Sequence, residues 1–131
     1  MRFNAEARGY EMTCDGQLTA TLDRTAEATV ITLVGELDLA VEVEVDEVIQ
    51  SAFSHDGTTS VHLDVTDVTF IGSAGVRNLL TARQASLDHG PTLSIRMRSI
   101  GPVARIVALC ELGPCFDWQL RSANDDQLPI D

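Results

Sequence analysis

The sequence predicts an α/β domain with a largely parallel sheet. Short β-branched apolar runs alternate with longer runs of helical period. Glycine and proline stand at the boundaries between them. The chain of 131 residues suits one domain and is short for two. A domain of this size buries roughly two-thirds of the surface its unfolded chain exposes, so it needs no disulfide or metal to fold.

Residues 1–9 read as a loose lead-in and residues 10–121 as the domain. Residues 10–14 fit a short edge strand. Leu18-Thr19-Ala20-Thr21-Leu22 alternates apolar and polar side chains, the period of a half-buried strand. Residues 28–34, Ala-Thr-Val-Ile-Thr-Leu-Val, are rich in β-branched side chains and read as a buried strand broken by Gly35.

Residues 40–53 satisfy two periods. Val41, Val43 and Val45 alternate with Glu42 and Glu44 as in a strand. Val41, Val45, Val48, Ile49, Ala52 and Phe53 instead define one helix face, and length decides for the helix. Its opposite face, Glu42, Asp46, Glu47 and Gln50, is expected to be solvated, and Asp38 is placed to cap it.

After a turn at Asp56-Gly57, residues 60–65 read as a strand. Residues 73–87 read as a helix with Val76, Leu79, Leu80, Arg83 and Leu87 on one side, ending near His89-Gly90-Pro91. Residues 92–98 alternate as a half-exposed strand. Gly101-Pro102 opens a third helix, with Val103, Ile106, Val107 and Cys110 inward and Gly113-Pro114 at its end. Residues 115–120 form a last short strand. Residues 122–131 are polar and acidic, the composition of a disordered tail.

Composition narrows the function. Nine basic residues, all arginine, face twenty acidic ones, for a net charge of −11. That balance argues against nucleic acid and anionic membranes as partners, and it fits docking on a basic protein surface. The first eight residues hold no apolar stretch of signal-peptide length, and no run approaches a membrane span. A soluble, cytoplasmic chain is expected. Cys14, Cys110 and Cys115 form neither a disulfide framework nor a CxxC pair, and read as small apolar residues in a reducing compartment.

The stretch Asp64-Val65-Thr66-Asp67-Val68-Thr69-Phe70-Ile71-Gly72-Ser73-Ala74-Gly75-Val76-Arg77 passes from a strand into a helix. Ser73 sits where that helix begins. It serves either as a cap, accepting a backbone N–H bond, or as a phosphorylation switch at the positive end of the helix dipole. Arg77, one turn further on the same face, is placed to pair with such a phosphate; otherwise it is an exposed helix arginine. Function in parallel sheets gathers at the carboxyl ends of the strands, and Asp38 and Ser73 each follow one.

Catalysis is not expected. Ser73 follows a strand as a hydrolase nucleophile does, but Ile71 stands where the G-x-S-x-G elbow needs its first glycine. His55, His62 and His89 have no motif that ties them to Ser73. His62 and Asp64 share a strand face, which reads as a charge pair or partial burial. No metal-ligand spacing and no nucleotide-phosphate loop is present, and the chain has no lysine. No catalytic residue, metal or cofactor is assigned.

Taken together, Val34-Gly35-Glu36-Leu37-Asp38, the segment from Val61 to Gly75, and Arg105-Ile106-Val107-Ala108-Leu109-Cys110-Glu111-Leu112-Gly113 resemble a STAS domain, the family that includes bacterial anti-sigma factor antagonists. The resemblance runs from about Leu18 to Leu120. It implies a mostly parallel sheet of four to five strands with helices packed on it. In the antagonist subgroup it implies a serine at the start of the second helix, here Ser73, phosphorylated by a partner that is both anti-sigma factor and serine kinase of the histidine-kinase-like ATPase fold. The unphosphorylated antagonist binds that partner and frees the sigma factor. Asp38, Gly72, Ser73, Ala74, Gly75 and Arg77 are then the expected partner-binding residues.

Three positions depart from the subgroup pattern. Gly72 replaces an aspartate, Ala74 replaces a second hydroxyl residue, and Val41 stands where a threonine often follows. Losing the carboxylate at 72 removes a local acceptor for the serine hydroxyl, and it also removes a charge that would repel an incoming phosphate. The alternative is a phosphorylation-independent module of the same fold, a signalling scaffold or a lipid-transport ATPase subunit.

Overall fold

A computed structural model describes residues 9–121. The acidic tail and all but the last residue of the lead-in lie outside the described residues. The chain order is β1 (Gly9–Cys14), β2 (Leu18–Arg24), β3 (Ala28–Leu37), α1 (Glu42–Ser54), β4 (Ser60–Ile71), α2 (Ser73–His89), β5 (Thr92–Arg98), α3 (Pro102–Leu109) and β6 (Asp117–Arg121). Short 3-10 turns, Leu39–Val41 and Gly113–Cys115, precede α1 and β6.

The six strands form one sheet in sequence order, where four or five were expected. β1, β2 and β3 pair antiparallel, whereas β3 through β6 pair parallel. The β1–β2 hairpin turns on Asp15 and Gly16, both at positive φ, with Gln17 N–H donating to the Cys14 carbonyl at 3.1 Å. An Asp-Gly pair suits such a turn, whose twist matches that of the flanking strands.

The core follows the expected periods in α1. Val41, Val45, Val48, Ile49, Ala52 and Phe53 are all buried. Val41, where the subgroup often has threonine, is fully buried at the end of the 3-10 turn and ties the loop to the core. The inward stripe of α2 differs from expectation. Ala74, Gly75, Asn78, Leu79, Ala82 and Ala85 are buried, while Leu80, Arg83 and Leu87 are exposed. Small side chains let α2 approach α1 and the sheet closely. A Cβ on Gly75 would lie 2.5 Å from Ile71 Cγ1 and 2.9 Å from Leu37 Cβ, so only glycine fits that approach.

Two boundaries move. Gly35 does not end β3; it carries the strand through a register shift at φ +121°, and a Cβ there would meet the Gln17 carbonyl oxygen at 2.1 Å. β4 continues to Ile71, well beyond residue 65, because Thr66 and Val68 are also buried along it. Helix α3 ends before Gly113. Glu111 takes the left-handed conformation at φ 55°, with Leu112 N–H donating to Val107 O and Glu111 N–H to Ala108 O. That pair of bonds is a Schellman cap built on glutamate. Cys110, expected inward, is exposed at this corner, and Cys115 is half-buried. Cys14 is buried; burial first, then the charge of Glu44, pushes its thiol up in pKa, which makes it a poor nucleophile.

Candidate functional site

The carboxyl ends of β3 and β4 meet at Leu37 and Ile71, and Gly72 N–H donates to Leu37 O at 3.0 Å. Each strand then turns into a helix, so the Asp38 loop and the Gly72–Ser73 turn become neighbours. The Asp38 carboxylate accepts from Ala40 N–H at 3.0 Å and from Gln17 Nε2 at 2.8 Å. It therefore caps the 3-10 turn ahead of α1, as an N-cap residue does, and not α1 itself, whose cap position is Val41. Gln17 brings the β1–β2 hairpin to the same corner.

Ser73 is the first residue of α2 and is exposed. It is not the cap. That position belongs to Gly72, in an extended conformation, and the helix start has no side-chain cap. The first-turn N–H groups of a helix have no acceptor within it, so anionic charge is favoured here. A Cβ on Gly72 would lie 3.3 Å from Cε2 of Phe70, a half-exposed ring beside the turn. The family aspartate would press on that ring; glycine leaves it room.

The structure gathers Asp38, Gly72, Ser73, Ala74 and Gly75 at one edge of the molecule. Ala74 and Gly75 lie buried under the helix start, so they fix α2 on the sheet and offer a partner no side-chain surface. Arg77 is not a bare surface arginine, because in the unmodified protein it already holds a carboxylate. Its Nε donates to Glu42 Oε2 at 2.8 Å and its Nη2 to Glu42 Oε1 at 2.9 Å, a bidentate pair joining α2 to the first turn of α1. The arginine's hydrogen bond, and then its charge against some desolvation, holds the Glu42 carboxyl below the usual carboxylate range. Beside it, buried Asn78 donates from Nδ2 to Glu42 O at 3.2 Å and to Asp46 Oδ1 at 2.7 Å. The face of α1 expected to be solvated is thus partly spent on α2 through Glu42 and Asp46. Sequence reasoning missed Glu42 and Asn78 as members of this corner.

Around the turn the surface is apolar. Leu39 is 74% exposed, Val43 71% and Phe70 48%. An open groove of about 240 Å³ runs on from Phe70 and Ile71 to Pro102, Arg105, Ile106 and Leu109. The histidines lie elsewhere. His55 follows α1 and His89 is the last residue of α2, both at the opposite end of the strands from Ser73. His62, half-buried in β4, has its Nδ1 2.6 Å from Ser94 Oγ, while Asp64 accepts from Thr66 N–H at 2.9 Å. The expected partial burial of His62 is seen; the charge pair is not, since each side chain has its own partner. Among the described residues no cluster of His, Cys, Asp and Glu has metal-site geometry, and no helix is long and apolar enough to cross a membrane.

A six-stranded sheet of this order, with two strand-to-helix turns meeting at its carboxyl edge, is the STAS architecture. The sequence profile described as "Mlab, STAS domain" matches residues 20–114, and the chain belongs to that family of STAS domains. No curated protein sequence matches it. Among solved structures, an anti-sigma factor antagonist from Mycobacterium paratuberculosis is similar with a TM-score of 0.71 at 18% identity, over 87% of this chain and 94% of that one. The anti-sigma factor antagonist SpoIIAA in its unphosphorylated form is similar with a TM-score of 0.63 at 21% identity, over 82% of this chain and 91% of that one.

Proposed function

We propose that this protein is an anti-sigma factor antagonist. Its carboxyl-edge surface binds an anti-sigma factor that is also a serine kinase of the histidine-kinase-like ATPase fold, which frees a sigma factor, and phosphorylation at Ser73 ends the binding. The position of Ser73 carries this reading: its hydroxyl is exposed at the first position of α2, while the capping role that would explain the residue structurally falls to Gly72. The likeness in fold to two anti-sigma factor antagonists supports the partner class. A phosphate of about −1.5 to −2 charges on Ser73 would stand among Leu39, Val43 and Phe70, where a docked partner strips it of water.

The test is capture from native lysate with wild-type, Ser73→Ala and Ser73→Asp baits. Retention of a histidine-kinase-like ATPase by the first two baits, and its loss with the third, is the expected result. Equal retention by all three refutes the switch. It would support the second reading, a phosphorylation-independent STAS module such as a signalling scaffold or lipid-transport ATPase subunit, which Gly72 and the engagement of Arg77 by Glu42 favour.

A further inference from the structure

Resting on that reading of Ser73, we propose that Arg77 is a latch that reads the phosphate: Glu42 holds it in the unmodified protein, and a phosphoryl group on Ser73 takes it, releasing Glu42 at the head of α1. Residues four apart on a helix present their Cβ atoms about 5–6 Å from each other, within reach of an arginine side chain. The Arg77 side chain is 53% exposed, so it can turn without unpacking a core. Its fork is occupied now by a single-charged carboxylate. A phosphoserine offers more charge, three acceptor oxygens and the favourable start of α2.

Glu42 loses little on release. It lies in the first turn of α1, which has no side-chain cap, and that helix's own dipole favours a carboxylate there. The helices stay together, because the bonds of Asn78 to Glu42 O and Asp46 do not involve the Glu42 carboxylate. What changes is the docking surface. Glu42 stands between exposed Leu39 and Val43 in the chain, so its freed charge extends the effect of the phosphate from α2 across to α1.

The phosphoryl transfer itself balances simply. The Ser73 Oγ–P bond forms as the bond between the γ-phosphorus and the bridging oxygen of the partner's nucleoside triphosphate breaks. The nucleoside diphosphate leaves, and the hydroxyl proton passes to a base on the partner.

The test uses full-length protein with phosphoserine genetically encoded at position 73. The Glu42 carboxyl is titrated by carbon NMR with and without the phosphate, and the phosphate is titrated by phosphorus NMR in wild type, Arg77→Gln and Arg77→Lys. The latch predicts that phosphorylation returns Glu42 to the ordinary carboxylate range. It predicts a phosphate midpoint higher in Arg77→Gln than in wild type by about 0.5–1 pH unit, with Arg77→Lys between them. A Glu42 midpoint that ignores the phosphate, or a phosphate midpoint equal in wild type and Arg77→Gln, overturns the latch. Capture of the kinase by the same phosphorylated protein separates the two ideas: retained binding refutes the antagonist switch and leaves the latch to be decided by the titrations.

Discussion

The two ends of the same parallel strands are built differently. At the amino end, the turns that enter β3, β4 and β5 are stitched by backbone and hydroxyl bonds. Thr59 N–H donates to Glu27 O at 2.7 Å, Thr92 N–H to Thr59 O at 3.1 Å, and Ser86 Oγ to Pro91 O at 2.7 Å. Buried Arg24 reaches Ser51 across the same end. Leu87 is the large apolar side chain exposed there among the described residues. At the carboxyl end Leu39, Val43, Phe70, Ile100 and Leu109 are exposed around an uncapped helix start and a polar clamp between helices. One end closes the domain, and the other leaves apolar surface and a hydroxyl in water. Exposed apolar residues gathered on one side mark an interaction surface, whereas the same residues scattered would mark nothing.

Glycine substitutions sharpen the contrast, because the two glycines whose added Cβ would collide, Gly35 and Gly75, lie toward the carboxyl end, whereas Gly57 and Gly90 at the amino end have room. Gly35→Ala combines positive φ with a collision against a backbone carbonyl, and is expected to cost about 3 kcal/mol or more. Gly75→Ala forces α2 away from Leu37 and Ile71. The better helix propensity of alanine offsets part of that strain, leaving a loss of about 1–2 kcal/mol. Gly90→Ala at the amino end meets nothing within 4 Å and carries only the strain of φ +104°, about 1 kcal/mol. Urea midpoints rank the three, and an amino-end glycine costing the most would break the comparison.

Glu111→Gly should stabilise by about 0.5–1 kcal/mol, since glycine takes the left-handed C-terminal position without Cβ strain. A lower melting temperature for this variant would contradict the Schellman assignment. The smallest effect concerns the clamp. The folded-state pKa of Glu42 is depressed, so its contribution is present above the ordinary value of 4.5 and is lost as pH falls through the lower folded value. Stability measured against pH should therefore show wild type above Glu42→Gln at neutral pH, with the gap closing in acid and shrinking in high salt. A gap that widens in acid has the wrong sign for this pair.

Much of the fold was legible, because strand and helix periods are local. The core face of α1 could be read residue by residue from its 3.6-residue spacing. That Asp38 and Ser73 each follow the carboxyl end of a strand was legible too, and the family resemblance grouped them as one surface. Other features depend on partners distant in sequence. Leu79, Leu80 and Leu87 all satisfied a helical period, yet α2 turns Leu79 inward together with Ala74, Gly75, Ala82 and Ala85 and leaves Leu80 and Leu87 exposed. β4 runs on through Asp67 and Thr69, exposed polar residues that resemble a turn until Gly35 and its shifted register are seen opposite. The end of α3 was assigned to Gly113-Pro114, whereas the backbone bonds close on Glu111, two residues earlier. Glu42 and Arg77 lie 35 positions apart, and nothing local couples them.

The central claim is that a partner docks on the carboxyl edge of the sheet around Ser73. Amide hydrogen exchange of the unphosphorylated protein, alone and bound to its captured partner, tests it most directly. The account predicts slowed exchange at residues 36–43 and 70–80 on binding, with residues 24–28, 55–60 and 89–92 unchanged. Slowing confined to those amino-end turns, or spread evenly over both ends, would contradict it.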